Sequence, residues 1–431
     1  MKHLTKSVVL LAALSACGDQ ELILEGERFD LEGTAAEEVV NRAAPLALPA
    51  ASVNAEWTHA NGNARHQLNH PALGRELARR WSVTIGQGND RKHRITADPV
   101  VAGGRIYTMD SRSTVSAHTT GGAAVWARNL TPASDNEDDA SGGGLAVAGG
   151  VVFATTGFGE LTALNAASGE TIWVQDLDAA STGAPTVADG VVYVVTRDSI
   201  GWAIDAADGR ILWQVFGATD ITGIAGGPAP SVAGPVVIFP LASGQMVAAV
   251  AGTGAQTWAA SVAGKRRGRA FSRYSDLSGA PVVVGTVVYA SNHAGRVAAF
   301  DSATGQPIWR GSEGSISPVW VVGSSVFLVS DENRLIRLDA STGDVIWAQN
   351  LPFFTRERIK RRKATFAHYG PVLAGGRLLV VSDDGMLRQF DPVTGNLIAA
   401  SELPGRAARN PVVAGGTLYI VTENGQLHAL R

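Results

Sequence analysis

Eight strand openings, seven of them led by proline, seven closings of the form Gly-x-x-x-(Trp/Ala), and one orphan tryptophan strand upstream of the first repeat predict an all-β ring. The predicted fold is an eight-bladed β-propeller of four-stranded antiparallel blades, closed by an N-terminal strand. Composition agrees: of 431 residues 45% are hydrophobic and 17% charged, with 50 Gly and 18 Pro. That suits short strands joined by tight turns in which glycine supplies positive φ. A net charge of −3 gives no global reason to expect nucleic acid as a partner.

The first element is a targeting segment. Lys2, His3 and Lys6 precede an apolar run, Val8 to Leu14, that is far too short to span a bilayer and predicts an export signal over residues 1–16. It ends in Leu14-Ser15-Ala16-Cys17, which resembles a bacterial lipobox, in which the cysteine is acylated and becomes the new N-terminus. The alternative is an ordinary signal peptide with a chance cysteine. Two or more acyl chains, at about 0.8 kcal/mol per buried methylene, hold a protein stably on a membrane. With Gly18 after the cysteine and Asp only at position 19, lipoprotein sorting implies the outer membrane of a Gram-negative bacterium, periplasmic face. Cys17 is the only cysteine, so no internal disulfide or cysteine metal cluster can form.

Residues 17–56 read as a lipidated flexible tether. Eight acids between Asp19 and Glu38 face only Arg28 and Arg42, and an Ala/Pro-rich stretch follows, with too few large apolar residues for a core. The propeller is assigned to 57–431. Its openings are Pro99, Pro185, Pro230, Pro281, Pro318, Pro371 and Pro411, with Gly144-Leu145 in the second repeat. Its closings are Gly122/Trp126, Gly169/Trp173, Gly209/Trp213, Gly254/Trp258, Gly305/Trp309 and Gly343/Trp347, then Gly395 with Ala399 in place of tryptophan. After Pro411 the chain has room for three strands only, and Arg80-Trp81-Ser82-Val83 supplies the missing fourth. That pairing leaves no open sheet edge, whereas an open solenoid leaves the orphan strand unexplained. Each tryptophan is expected between adjacent blades, its indole N–H bonded to a backbone carbonyl.

Catalytic and metal chemistry finds little support. Asp205, Asp301, Asp339 and Asp391 recur just before a Gly turn, which argues for turn capping rather than catalysis. His66 and His70 are four apart, but Asn69 and Pro71 argue for a loop. The run Asp135 to Asp139 lacks the spacing of a Ca²⁺ loop. Two basic runs stand out: residues 265–269, followed by Arg273, and residues 356–363, with six basic residues and one acid. Both join a Trp strand to the next proline strand, so both are expected on one face, where they could meet protein or lipid.

The repeat, as in Ala303-Thr304-Gly305-Gln306-Pro307-Ile308-Trp309, resembles the tryptophan-docking repeat of pyrroloquinoline-quinone dehydrogenases and their non-enzymatic relatives. Together with the lipobox, the resemblance narrows to the BamB lipoproteins of outer-membrane β-barrel assembly. It implies a scaffold without cofactor, not an enzyme, that acts as a monomer within a complex and docks on the barrel-insertion subunit BamA. The family's two docking loops correspond to Thr222-Gly223-Ile224-Ala225-Gly226, where Ile224 matches, and to Arg273-Tyr274-Ser275-Asp276-Leu277-Ser278, where Arg273 and Asp276 match. The family's arginine is absent from the first, and Ser278 replaces a second Asp in the other. A quinone-dependent dehydrogenase and a propeller binding other envelope partners are the alternatives.

Overall fold

The computed structural model describes residues 41–181, 183–218, 226–262, 264, 266 and 276–431. Eight four-stranded antiparallel sheets form the ring. Seven run consecutively along the chain; the eighth joins Val412–Ala414, Thr417–Thr422 and Gln426–Leu430 to the upstream strand Arg79–Thr84, which pairs antiparallel with Gln426–Leu430. Numbered from Val100, blade 8 is thus closed by the strand that carries Trp81. Within a blade the first strand is inner and buried, and the fourth is outer: in blade 1 Val100–Ala102 is buried throughout, whereas Ala124–Asn129 is mostly exposed.

The spacing of glycine and tryptophan has one physical cause. Each repeat glycine carries positive φ in the turn before the outer strand, and its bare Cα lies under the tryptophan of the preceding blade: a Cβ on Gly209 would sit 2.7 Å from Trp173. The indole then donates to a carbonyl of that next blade, as from Trp126 to Ala166 and from Trp173 to Ala206, both 3.1 Å. Trp81 does the same across the closure, to the Thr120 carbonyl at 3.2 Å. Trp347 departs from the expected pattern: it stacks on Gly395, but its indole nitrogen has no hydrogen-bond partner. Ala399 is explained as well. In blade 8 the third and fourth strands are not consecutive in the chain, and Ala78 and Arg431 exchange backbone bonds where a hairpin turn would lie, so blade 7 has no glycine turn on which to stack a tryptophan. The recurrent acids are turn caps, with the Ala303 and Thr304 amides donating to Asp301 at 3.0 and 2.9 Å.

Two segments depart from the sequence reading. Residues 41–56, expected in a flexible tether, lie against the ring. The Arg42 amide donates to the Ile346 carbonyl at 3.0 Å. The fully buried Arg337 donates to the carbonyls of Ala44 and Pro45 at 2.8 and 2.9 Å, and also to Val393 and Ser325. Ala44, Leu46 and Leu48 also pack against the ring's core, but these few apolar side chains follow no strand or helix period that a sequence reading would pick out.

Residues 54–71 plug the axial channel and touch the inner strand or its turn in every blade. Trp57 exchanges two backbone bonds with Val101, both 2.8 Å. The Val147, Val232 and Val283 amides donate to Thr58, Ala64 and Arg65, each at 2.9 Å. His59 meets the Val187 amide at 3.0 Å, and Trp57 stacks on Trp320 with centroids 6.1 Å apart. Gly375 donates to Pro71 at 2.9 Å and Gly415 to Asn54 at 2.8 Å. These contacts lie at the end where inner strands turn tightly into second strands, so the plug closes that end of the channel.

Candidate binding face

An up-and-down blade sends its turns alternately to two faces. One carries the tight turns from first to second and from third to fourth strand. The other carries the second-to-third turns and, among the described residues, the connections between blades, such as residues 130–142 and 351–367. Long loops on a rigid ring are where binding is expected.

The predicted residues fare unequally. Cys17, Ile224 and Arg273 lie outside the described residues. Asp276 is described and buried, 7% exposed, because the inner strand of blade 5 begins at Leu277, four residues ahead of its proline, and draws the aspartate in with it.

Nearby, Arg266 ties that loop to blade 6. It contacts Glu313 at 2.8 Å and Asp331 at 2.7 Å, and Arg334 reaches Glu313 from the other side at 2.7 Å. Asp331 and Glu313 are 2% and 8% exposed at their side chains. Burial pushes the Glu313 carboxyl upward even though Arg334 and Arg266 pull it down. Desolvation opposes charge on Arg266, but Asp331, Glu313 and Glu332 outweigh it and raise its pKa. A buried carboxylate pair held by two arginines is costly to disturb, because removing one partner strands the other charge.

At the ring axis the residue before the opening proline lines a shallow mouth in six blades. It is small in blades 3, 4 and 5 (Ala184, Ala229, Ala280) and polar in blades 1, 6 and 8 (Asp98, Ser317, Asn410). Arg409 donates to Asp98 at 2.8 Å, as does the Asn410 amide at 3.0 Å, and the Ser317 hydroxyl donates to Asn410 at 2.7 Å. Ile316 stands 60% exposed at the rim. Ala60 of the plug floors the cavity, which encloses about 50 Å³, room for only a few waters. Sequence reasoning missed this polar group; its signal was the polar residues Asp98, Ser317 and Asn410 at a repeat position that is alanine in blades 3 to 5. The acidic loop is partly neutralised by Arg112, which pairs with Glu137 at 3.6 Å and with Asp138.

Residues 111–349 and 357–431 match the family model for the outer membrane protein assembly factor BamB. The chain belongs to the BamB family. A curated BamB from Salmonella typhimurium is 34% identical over 241 residues, 55% of this chain and 61% of the relative. The chain therefore spans about three fifths of the length of that relative. The crystal structure of BamB from Moraxella catarrhalis matches with a TM-score of 0.68 at 21% identity, covering 82% of this chain and 99% of that one. Quinohemoprotein alcohol dehydrogenase from Comamonas testosteroni matches with a TM-score of 0.66 at 15% identity, covering 88% and 81%. Both structural likenesses show the propeller fold. The BamB family match begins inside blade 1, leaving the plug outside it, and skips residues 350–356 between blades 6 and 7.

The described residues do not fit the quinone of the dehydrogenases. A cofactor of that size needs a pocket of several hundred Å³, and the axial mouth is far smaller with its floor built from the chain itself. Among the described residues no group of three or more His, Cys, Asp or Glu is placed to hold a metal ion.

Proposed function

We propose that this BamB-family chain is a non-enzymatic scaffold lipoprotein of outer-membrane β-barrel assembly, anchored through Cys17 to the periplasmic leaflet of the outer membrane, and that its loop face docks on a BamA-like barrel-insertion protein. The observation that carries the reading is the pairing of BamB membership with a ring whose axis is plugged and whose long connections all leave one face. Binding then falls to the loops, with Ile224 and Arg273 as direct contacts and Asp276 and Arg266 as supports beneath them. Surface complementarity of this kind requires a few desolvated anchors within a larger polar rim.

The test is co-purification of the acylated protein from solubilised outer membrane. The barrel-insertion protein is expected in the eluate, and Ile224→Glu and Arg273→Glu are expected to reduce its yield at least tenfold while the unfolding midpoint stays within about 1 °C, as for substitutions that act only on the partner. Absence of that protein from the wild-type eluate refutes the assembly reading. Retention by both variants moves the contact elsewhere on the ring.

A further inference from the structure

The connection between blades 6 and 7 is a braced hairpin with an unusual tip. Residues 351–366 leave the outer strand Val345–Asn350, and Phe354 bridges Thr365. The Thr355 amide donates to Ala364 at 3.0 Å and the Phe366 amide to Phe353 at 2.8 Å. The base is clamped by the Asn333 side chain, which donates to the Pro352 and Phe366 carbonyls at 3.1 and 2.9 Å. Arg362 lies 4.9 Å from the Phe354 ring centroid. Beyond this base every residue from Arg356 to Lys363 is exposed, and one 3₁₀ turn, Ile359–Arg361, forms the apex.

The tip carries six basic residues against Glu357 alone. Among the described residues the side chains of Arg356, Arg358, Lys360, Arg361 and Lys363 make no hydrogen bond or ion pair. Ile359, in their midst, is 81% exposed, and neither the hairpin nor the blades bury it. A fold has no use for an isoleucine there. Unfixed cations around a protruding apolar side chain suit a fluid array of phosphates over an apolar layer better than a partner with fixed carboxylates, which selects held, bidentate arginines. The tip is convex, with no groove to receive a peptide.

The path of the chain points the same way. The strand from which the hairpin springs also carries the first described residues: Asn41 exchanges bonds with Ala348 at 3.0 and 3.2 Å, and Arg42 follows at Ile346. Residue numbers rise away from the hairpin, so the membrane-proximal end of the described chain is the end beside the hairpin root.

We propose that residues 356–363 form a membrane-contact element that seats on an anionic phospholipid surface, with Ile359 as its wedge and the surrounding lysines and arginines on the headgroup phosphates. The proposal does not depend on docking to the barrel-insertion protein.

The experiment uses the mature polypeptide, residues 18–431, without its acyl chains, sedimented with vesicles of phosphatidylethanolamine and phosphatidylglycerol or of phosphatidylcholine alone. Binding is expected to the anionic vesicles and to weaken steeply with salt. Each charge removed is expected to weaken it about fivefold, so Arg358→Gln with Arg361→Gln loses roughly 25-fold. Ile359→Ser is expected to lose about tenfold, from an isoleucine no longer buried, while the salt dependence persists. All variants are expected to keep the wild-type unfolding midpoint, since the tip contacts nothing in the ring. Wild-type protein that ignores anionic vesicles, or binds phosphatidylcholine equally, overturns the proposal, as does wild-type binding by both variants. If vesicles are ignored but the arginine variant loses an envelope protein on co-purification, the tip serves an acidic protein surface and the lipid assignment is wrong.

Discussion

Replacing Gly209 with alanine tests the contact that spaces the blades. Two demands act on that glycine: φ is +79°, and a Cβ would lie 2.7 Å from the Trp173 ring. Gly104 meets only the first, with φ +73° and nothing within 4 Å of a Cβ. Holding alanine in the left-handed region costs about 1 kcal/mol at either site. At Gly209 the indole must in addition retreat by nearly 1 Å to reach normal carbon contact, loosening its 3.1 Å bond to Ala206; overpacking of this kind adds about 1–3 kcal/mol. With an unfolding entropy of about 2.1 cal/mol/K per residue over about 390 residues, 1 kcal/mol corresponds to about 1.2 °C. Thermal unfolding followed by circular dichroism is therefore expected to fall by about 1 °C for Gly104→Ala and about 3–5 °C for Gly209→Ala. In a Trp173→Ala background, Gly209→Ala is expected to cost no more than Gly104→Ala, because the two positions are coupled through one contact. Equal shifts for the two glycines, or an undiminished cost in that background, would refute tryptophan docking as the reason for the spacing.

Three further outcomes are expected. Arg266→Met strands Asp331 and part of the charge on Glu313, and is expected to cost about 2–3 kcal/mol, less than a fully buried pair because Arg334 still holds Glu313; urea titration at pH 7 and pH 5 is expected to show the deficit shrinking in acid as Glu313, whose carboxyl burial pushes upward, takes a proton. His59 and His66 are buried, which lowers their pKa values from 6.5 to about 3 and about 4. Between pH 6.5 and about 4 the unfolded chain therefore binds protons that the plug refuses, and stability is lost as pH falls, by up to about 2.7 kcal/mol per pH unit for the two groups. His66→Gln is expected to remove about half of that slope, and an unchanged slope in urea titrations would show that His66 is not buried neutral. Arg337→Met removes the donors that hold Ala44 and Pro45, so hydrogen exchange is expected to quicken at residues 41–46 while blades 2 to 4 keep their protection.

Blade number and closure were legible because the contact between blades repeats: each joint needs a bare Cα under an indole, so glycine and tryptophan recur at fixed spacing. Even the gap at Ala399 follows the rule, since the third and fourth strands of blade 8 are not joined by a hairpin and no glycine turn lies there. The plug was not legible. Much of its docking is by main-chain hydrogen bonds to inner strands, in which Thr58, Ala64 and Arg65 accept through carbonyls that any residue supplies. One signal was available: Trp57 and Trp320 lack the glycine four residues before them, and these two rings stack on each other. The burial of Asp276 was not legible, because the opening proline, Pro281, sits inside its strand rather than at its head.

Closure of the axis has a consequence for where function can reside. In a ring with an open channel the inner strands present backbone and side chains to a central ligand. Here residues 54–71 meet the inner edge of all eight blades, and what remains at the loop face is a mouth floored by Ala60 and crossed by the Asp98–Arg409–Asn410 bonds. Plug and loops are then separable. The plug's hydrogen bonds contribute to the ring's cohesion, so Trp57→Ala is expected to lower the unfolding midpoint, by the cost of burying a void where about 3–5 kcal/mol of aromatic packing was lost. Because that loss lies at the opposite end of the channel, folded Trp57→Ala protein is expected to retain its partner and its vesicle binding. Ile224→Glu and the arginine-tip variant are expected to behave in the converse way, each losing one binding activity with the ring intact. A plug variant that unfolded no sooner but lost a partner would place the binding site on the axis after all, and would reverse the assignment of function to the loops.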